Sequence, residues 1–337
     1  MTSNSVTLSV LDQSPIRSGG TAEDAIRETL QLAQAADRLG YRRYWLAEHH
    51  NSGGLASASP EILISQVAAH TRRIRVGSGG VMLSHYSPLK VAESFRMLEA
   101  LHPGRIDLGI GRAPGSDGRT ARALAHGPGA LGVEHFPEQV AELDAFLGDG
   151  FPPGHPFHGI RAMPEGPRLP ELWLLGSTGT SASYAAEFGW GFSFAQFISP
   201  EGGEEIIRAY RDQFRTSPHL AAPTANLAVS VTCAETEAEA ERLSWSRWCW
   251  RILANRGQRG GIPSPNEART FLYTPHERAY LEYMRGRSIY GDPGQVKAKL
   301  LALGAEYGAD EFVVVTITHD FASRLRSYEL LAGAFDL

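Results

Sequence analysis

The stretch Tyr44-Trp45-Leu46-Ala47-Glu48-His49-His50-Asn51 joins a strand-like segment to chemically capable side chains. Its first four residues are aromatic or apolar, which is typical of a strand covered on both faces. A carboxylate, two imidazoles and an amide follow, and then the glycine loop Ser52-Gly53-Gly54. Parallel α/β proteins build their sites from residues at the carboxyl ends of strands. The stretch therefore predicts an α/β fold with a site at the end of this strand.

Seven further segments have the composition of strands, and helical segments separate them. The eight predicted strands span residues 6–11, 44–47, 74–83, 106–110, 172–175, 191–197, 226–233 and 310–318. This alternation favours parallel strands with right-handed crossovers, and eight such units close most naturally into a barrel. The alternative is an open doubly wound sheet, which typically has a G-x-G-x-x-G turn after its first strand. Gln13-Ser14-Pro15 occupies that place, so we predict a (β/α)8 TIM barrel with insertions.

Helix start and stop signals support the alternation. Thr21 and Asp24 form a capping-box pattern, and Gly40 is placed to end that helix. Ser-Pro pairs at residues 59–60, 87–88 and 199–200 and the aspartates Asp292 and Asp320 are expected to begin further helices. Residues 113–133 and 256–275 are predicted to be loops, and 134–147, 235–254 and 275–287 to be helices.

Composition excludes several classes of protein. The 337 residues are 42% hydrophobic, and the net charge of −5 argues against a general nucleic-acid binder. Two cysteines stand outside any metal spacing, which indicates a cytosolic protein without disulfides. There is no signal peptide pattern and no apolar run of membrane-spanning length. We therefore expect a cytoplasmic protein that binds neither nucleic acid nor membrane, with all 337 residues in a single domain.

Glu48, His49 and His50 allow more than one interpretation. A shared metal ion is disfavoured, because adjacent side chains on a strand point to opposite faces. General acid–base or hydrogen-bonding roles suit the imidazoles better. A histidine that merely satisfies the core is an equal alternative for His50 and a weaker one for His49.

Two glycine-containing segments indicate ligand contacts. Gly176-Ser177-Thr178-Gly179-Thr180-Ser181 lies between a strand and a helix and offers hydroxyls and free N–H groups, as a phosphate site does. Arg112 could pair with the same phosphate, although alone it would more often be a surface residue. Ser78-Gly79-Gly80 interrupts a strand, which suits either a flat ring lying against the glycines or a β-bulge.

These motifs resemble the bacterial luciferase-like family of flavin-dependent monooxygenases, and the alkanal-monooxygenase-like subgroup in particular. The resemblance covers nearly the whole chain. It rests on residues 44–50, on Ile74-Arg-Val-Gly-Ser-Gly-Gly80, on Pro103 through Arg112, on Leu174 through Thr178 and on the two chain ends, at residues 9–15 and 316–320. The family's fold is a TIM barrel, in agreement with the strand count.

The resemblance implies reduced FMN (FMNH2) as cofactor, delivered by a separate flavin reductase. It implies His49 as the catalytic residue. The positions implied to bind the cofactor are Ser78, Gly79, Arg112, Gly176, Ser177, Thr178 and Ser181, with a non-proline cis peptide at Ser78-Gly79. Luciferase has a reactive cysteine where this chain has Gly111, which argues against light emission. Residues 256–275 correspond to a mobile lid.

The implied reaction transfers one oxygen atom from O2, through a C4a-(hydro)peroxyflavin, to a lipophilic organic substrate. Aldehydes and polyketide-type natural products both suit a barrel mouth, and no strand end indicates a second anion site beyond the phosphate. The resemblance also implies a homodimer. Two alternatives stay open: a deazaflavin-dependent oxidoreductase on the same barrel, and a non-catalytic flavin-binding partner subunit.

Overall fold

The computed structural model describes residues 6–113, 117–125, 132–199 and 201–337. Its strands are β1 (Thr7–Asp12), β2 (Arg43–Leu46), β3 (Arg75–Ser78), β4 (Val81–Met82), β5 (Ile106–Gly111), β6 (Glu171–Gly176), β7 (Gly191–Ala195), β8 (Ala225–Cys233), β9 (Ile289–Gly291) and β10 (Glu311–Val315). Its helices are α1 (Ala22–Leu39), α2 (Pro60–His70), α3 (Pro88–Leu101), α4 (Gly118–Leu124), α5 (Phe136–Leu147), α6 (Gly179–Phe188), α7 (Gly203–Gln213), α8 (Glu237–Asn255), α9 (Pro265–Thr270), α10 (Pro275–Arg287), α11 (Pro293–Tyr307) and α12 (Phe321–Ala334).

Eight parallel strands close into a barrel. The order is β1-β2-β3-β5-β6-β7-β8-β10, and β10 pairs with both β8 and β1. The short strand β4 continues the path of β3 along β5, and β9 extends β8 beyond the barrel. The predicted TIM barrel is confirmed, and the open-sheet alternative is wrong because β10 closes the ring.

Several helix boundaries follow from the sequence signals. The Thr21 side chain accepts a hydrogen bond from the N–H of Asp24, whose carboxylate accepts one from the N–H of Thr21. Gly40 ends α1 at a φ of +95°, a conformation that favours glycine. Asp292 and Gln295 cap α11 in the same reciprocal way, and Asp320 caps α12.

Two of the loop predictions are wrong. Helix α4 lies within the segment 113–133, and α9 lies within 256–275. The segment 74–83 forms two short strands separated by Gly79 and Gly80, in agreement with the interruption predicted there. The helix expected from Ser199-Pro200 begins at Gly203, and Pro200 lies outside the described residues.

Layers of side chains fill the barrel interior, so the space for a site lies at the mouth. At the amino-terminal end Arg43 is 1% exposed and pairs with Asp107, Glu171 and Glu311 at 2.8–2.9 Å. Above this layer the rings of Trp45 and Trp173 pack edge to face with centroids 5.4 Å apart. These large side chains close the barrel, so a ligand can reach only the carboxyl-terminal mouth.

An excursion between β8 and β9 covers part of that mouth. It contains α8, α9 and α10 and the segment that joins α8 to α9. Ile262 in this segment is buried, donates its N–H to the carbonyl of Ile16 at 2.7 Å and accepts from the N–H of Ser18 at 2.8 Å. The excursion is therefore fixed to the loop after β1. None of the helices described here has the length and apolar character needed to cross a membrane.

Candidate active site

The predicted site residues follow four neighbouring strands. The N–H of Gly79 donates to the carbonyl of Leu46 at 2.8 Å, which brings the end of β3 against the end of β2. Met82 lies opposite Gly111, and Gly111 lies opposite Leu175. The ends of β2, β3, β5 and β6 thus form one continuous arc of the barrel mouth.

Glycines form the surface of this arc next to β2. The non-proline cis peptide lies between Gly79 and Gly80, so the position expected from the resemblance, Ser78-Gly79, is wrong by one residue. A Cβ on Gly79 would lie 2.7 Å from Leu11 Cδ1 and 3.0 Å from Trp45 Cβ. These distances leave little room for a side chain on Gly79, which is half-buried.

Ser78 acts through its position in this surface. Its side chain is fully buried, and its Oγ donates to the carbonyl of Gly109 at 2.7 Å and accepts from the N–H of Gly109 at 3.0 Å. The hydroxyl is committed to the barrel wall, so a ligand would meet the backbone after Ser78 and not its hydroxyl.

His49 is half-buried beside this surface, and one nitrogen of its ring lacks a hydrogen-bond partner among the described residues. Its N–H donates to the carbonyl of Ser57 at 2.8 Å, which fixes the backbone. The buried Nδ1 has no hydrogen-bond partner among the residues that the structure describes. Burial, and to a smaller degree the neighbouring His50, lower the pKa of His49 to about 4. The imidazole is therefore neutral near pH 7 and can accept a proton or a hydrogen bond.

His50 belongs to a separate polar cluster around Glu48. Nε2 of His50 lies 2.6 Å from Oε1 of the buried Glu48. Glu48 also accepts from the Tyr86 hydroxyl at 2.7 Å and from the N–H of Met82 at 2.9 Å. The His85 ring packs edge to face with that of His50. No sequence pattern pointed to Tyr86, because only the turn after β4 brings its hydroxyl to Glu48.

The segment after β6 has the features of an anion site. Thr178 is the N-cap of α6, yet its side chain makes no capping bond within the described chain. The hydroxyls of Thr178, which is exposed, and Ser177, which is half-buried, are therefore available beside the N–H groups that begin the helix. Ser181 is buried in the first turn, and a Cβ on Gly176 would lie 2.4 Å from its Oγ. Gly176 thus allows Ser181 to pack beneath the segment.

Arg112 stands next to this segment in the barrel. It directly follows Gly111, which lies opposite Leu175 on β6, and its side chain is exposed. A Cβ on Gly111 would meet no described atom within 4 Å. The mouth is therefore open at Gly111, with a guanidinium at its rim.

The family model for luciferase-like monooxygenases matches residues 6–311. The chain belongs to the luciferase-like monooxygenase family. It is 40% identical to "Luciferase-like monooxygenase" of Escherichia coli over 332 residues, which are 98% of this chain and 97% of that protein. It is 38% identical to "N-acetyl-S-alkylcysteine monooxygenase" of Bacillus subtilis, with 98% of each chain covered. The crystal structure of apo-MsnO8 superposes with a TM-score of 0.89 at 40% identity and covers 98% of this chain and 99% of MsnO8.

More distant barrels share the fold alone. An oxygenating component of 3,6-diketocamphane monooxygenase from Pseudomonas putida, in complex with FMN, has a TM-score of 0.70 at 19% identity and covers 97% of each chain. An F420-dependent secondary alcohol dehydrogenase has a TM-score of 0.71 at 13% identity, with coverages of 98% and 99%. Flavin and deazaflavin enzymes therefore both occur on this fold.

In the described ranges no group of three or more His, Cys, Asp or Glu side chains is placed to hold a metal ion. His50 lies against Glu48 and His49 does not, so the two imidazoles have different surroundings.

Proposed function

We propose that this luciferase-like monooxygenase uses reduced FMN and O2 to oxygenate a lipophilic organic substrate. The two electrons come from FMNH2, one oxygen atom enters the substrate, and the other leaves as water. A separate reductase would supply the FMNH2. The observation that supports this best is the arc of strand ends, where a bare glycine surface, an unpartnered imidazole nitrogen and a helix N-terminus with free hydroxyls adjoin.

The residues of this arc fit a flavin mononucleotide. Gly79 and Gly80 would support the flat ring, since neither has a side chain and glycine within a strand allows a ligand to approach closely. Ser177, Thr178 and Ser181, with the N–H groups of α6, would hold the phosphate, and Gly176 allows the tight packing there. Arg112 would neutralise its charge. When bound, the reduced flavin supplies the electrons and the reaction with O2.

His49 would act as a proton acceptor and hydrogen-bond partner at the reacting edge. Because its pKa is about 4, the ring stays neutral at the pH of the cytoplasm. Its unpartnered Nδ1 can therefore accept a proton from a group in the mouth and return it later. Glu48, His50 and Tyr86 satisfy one another and would position the segment instead of exchanging protons.

Water exclusion is the role we propose for the segment 256–275. It is fixed to the barrel at Ile262, and Arg259 reaches across the mouth to Asp117 at 2.5 Å. Residues 254–260 are exposed, so the part between α8 and Ile262 is the part that we expect to move as a lid. A closed lid would protect the reacting flavin from water.

One relative is named N-acetyl-S-alkylcysteine monooxygenase, and this supports a small organic molecule as the substrate. We also expect a cytoplasmic homodimer, which sedimentation analysis would test.

A cofactor titration tests the proposal and its main alternative together. Reduced FMN and reduced deazaflavin F420 are titrated anaerobically into the protein, and tryptophan fluorescence is followed. We expect saturable binding of FMN and weaker binding of the deazaflavin. Tighter binding of the deazaflavin would favour the oxidoreductase alternative. The protein is then assayed with a reductase and a panel of aldehydes and thioethers. If FMN binds but product forms only after a second subunit is added, the partner-subunit alternative is favoured.

A further inference from the structure

A second cavity lies at the mouth, on the far side of β6 from Arg112. It is formed between the ends of β7 and β8 and the helices α8 and α10, and its volume is about 100 Å³. Sites that enclose whole ligands usually measure several hundred Å³, on the order of 300–1,000 Å³. This cavity therefore suits one end of a ligand whose remainder lies elsewhere in the mouth.

Three arginines line the cavity, and two of them lack a compensating negative charge among the described residues. Arg247 and Arg251 of α8 and Arg287 of α10 line it, and no Asp or Glu is among the described residues of its lining. Arg287 is engaged, since it pairs with Glu201 at 2.7 Å and lies over the Tyr283 ring. Neither Arg247 nor Arg251 has a hydrogen-bond or ion-pair partner in residues 6–113, 117–125, 132–199 or 201–337.

Two half-buried arginines without a partner are unusual. Burying a cation without an anion is unfavourable, and buried charges in proteins are normally paired. Burial, and then the charge of Arg251, lower the pKa of Arg247 to about 9, so the guanidinium stays charged near pH 7. The two residues are four apart on α8, which places both guanidinium groups on one face of the helix. An anion bound between the two guanidinium groups would compensate for their desolvation and offset their mutual repulsion.

An apolar cluster connects the cavity with the surface that we assign to the flavin. Phe197 lines the cavity and packs against the apolar cluster that contains Leu11 and Trp45. Those two side chains lie against Gly79. Trp250, which lies between Arg247 and Arg251 on α8, packs on the same cluster. A molecule that reaches from the cavity towards His49 would therefore pass over aromatic and apolar side chains.

We propose that Arg247 and Arg251 bind an anionic end group of the organic substrate, so that the substrate is a small organic acid with an apolar body. The walls next to the arginines, Phe197, Tyr280 and Met284, suit that apolar body. The proposal rests on the proposed function, since it assigns the substrate class of the same mouth. The phosphate segment at Thr178 and the cavity lie on different strand ends, so cofactor and substrate anions would have separate sites.

The test compares two probes of equal shape and different charge. Binding of 3-phenylpropionate and of its neutral amide, 3-phenylpropionamide, is measured by calorimetry on the full chain, with and without saturating FMN. Arg247→Gln, Arg251→Gln and the double variant are compared with Arg242→Gln. Arg242 is on the same helix but outside the cavity, and it pairs with Glu239 at 2.7 Å.

We expect the carboxylate to bind at least about tenfold more tightly than the amide, as a charge-assisted hydrogen bond requires. Each Gln variant should lose that preference, Arg242→Gln should keep it, and FMN affinity should be unchanged in all of them. Thermal melting of the variants should not fall, because an unpaired buried charge has been removed. This melt also shows that the variants are folded.

Three results would overturn the proposal, and a fourth would overturn only the proposed flavin chemistry. Equal binding of acid and amide, or no binding of either at millimolar concentration, would mean that the arginines do not recognise an anion. Loss of FMN affinity in Arg247→Gln, with exclusion of the carboxylate by FMN, would assign the cavity to the flavin phosphate. If FMN fails to bind and the carboxylate still binds through both arginines, the anion site stands and the proposed flavin chemistry fails.

Discussion

Oε1 of Glu48 lies 2.6 Å from Nε2 of His50, while the adjacent His49 keeps a buried Nδ1 without a partner in the described structure. The two neighbouring histidines therefore have different surroundings, which is why we propose proton transfer for His49 and a positioning role for His50. The difference arises because an extended chain turns successive side chains to opposite sides.

Replacing His49 should uncouple FMNH2 oxidation from product formation and leave cofactor binding unchanged. In His49→Ala we expect product formation to fall by about 100-fold or more, the usual contribution of a positioned acid–base group. Hydrogen peroxide should be released instead, and FMN should bind as before. Peroxide and product are measured per FMNH2 oxidised. Full coupled turnover in the variant would show that the role assigned to His49 is wrong.

The pKa of His49 predicts a specific acid sensitivity. Near pH 4 to 6.5 the unfolded chain takes up a proton at this histidine, at an ordinary pKa of 6.5, whereas the folded chain does not until about pH 4. Stability should therefore fall as the pH falls through this window. Wild type should lose about 3 kcal/mol more than His49→Gln between pH 7 and 4, as measured by urea unfolding. Parallel stability curves would contradict the lowered pKa.

Glu48 should matter for stability more than an exposed glutamate does. Glu48→Ala leaves the Tyr86 hydroxyl and the N–H of Met82 without their acceptor, so we expect a loss of about 2 kcal/mol or more in the free energy of unfolding. Glu306, exposed on α11, provides the control, and Glu306→Ala should change it by less than about 0.5 kcal/mol. Equal effects would mean that the Glu48 cluster contributes little.

Two threonines at helix N-caps, Thr178 and Thr236, allow an effect on ligand binding to be distinguished from an effect on helix stability. The Thr236 side chain caps α8 by accepting from the N–H of Glu239 at 3.2 Å, whereas Thr178 makes no such bond to the described part of α6. Thr178→Val should weaken FMN binding about fivefold and leave stability unchanged, since a hydrogen bond contributes about 1 kcal/mol. Thr236→Val should lower stability by about 1 kcal/mol and leave FMN affinity unchanged. The reverse pattern would place the phosphate elsewhere.

Two glycines of β5 should differ sharply in their tolerance of alanine. A Cβ on Gly109 would lie 2.3 Å from the carbonyl oxygen of Ser78, whereas a Cβ on Gly111 meets nothing described within 4 Å. Gly109→Ala should destabilise by about 3 kcal/mol, and Gly111→Ala by less than about 0.5 kcal/mol. Chemical denaturation measures both, and a tolerated Gly109→Ala would contradict the close packing of β3 on β5.

The sequence predicted the barrel because its strand and helix signals are local. Thr21 with Asp24, and Asp292 at the start of α11, are capping patterns that no distant contact has to complete. Helix α9 had such a signal as well, in Ser264 and in Glu267 three residues later, but the glycines and prolines around it favoured a loop. A local capping box outweighs composition when both are present.

The cavity on α8 could not be predicted from strand ends alone. Arg247 and Arg251 lie on a helix, and only the fold of the excursion turns them towards Ser230 at the barrel mouth. A signal was present, since residues three and four positions from either arginine include no acidic partner. The cis peptide at Gly79–Gly80 lies one residue after the position that the resemblance implied, and no local sequence signal separates the two positions.

Anaerobic mixing of the protein with reduced FMN, followed by an oxygen pulse in a stopped-flow spectrometer, tests the proposed flavin chemistry most directly. We expect the bound flavin to reoxidise more slowly than free flavin and to pass through a spectrum that is neither that of reduced nor that of oxidised FMN. Reoxidation at the rate of free flavin, with no such spectrum, would contradict it.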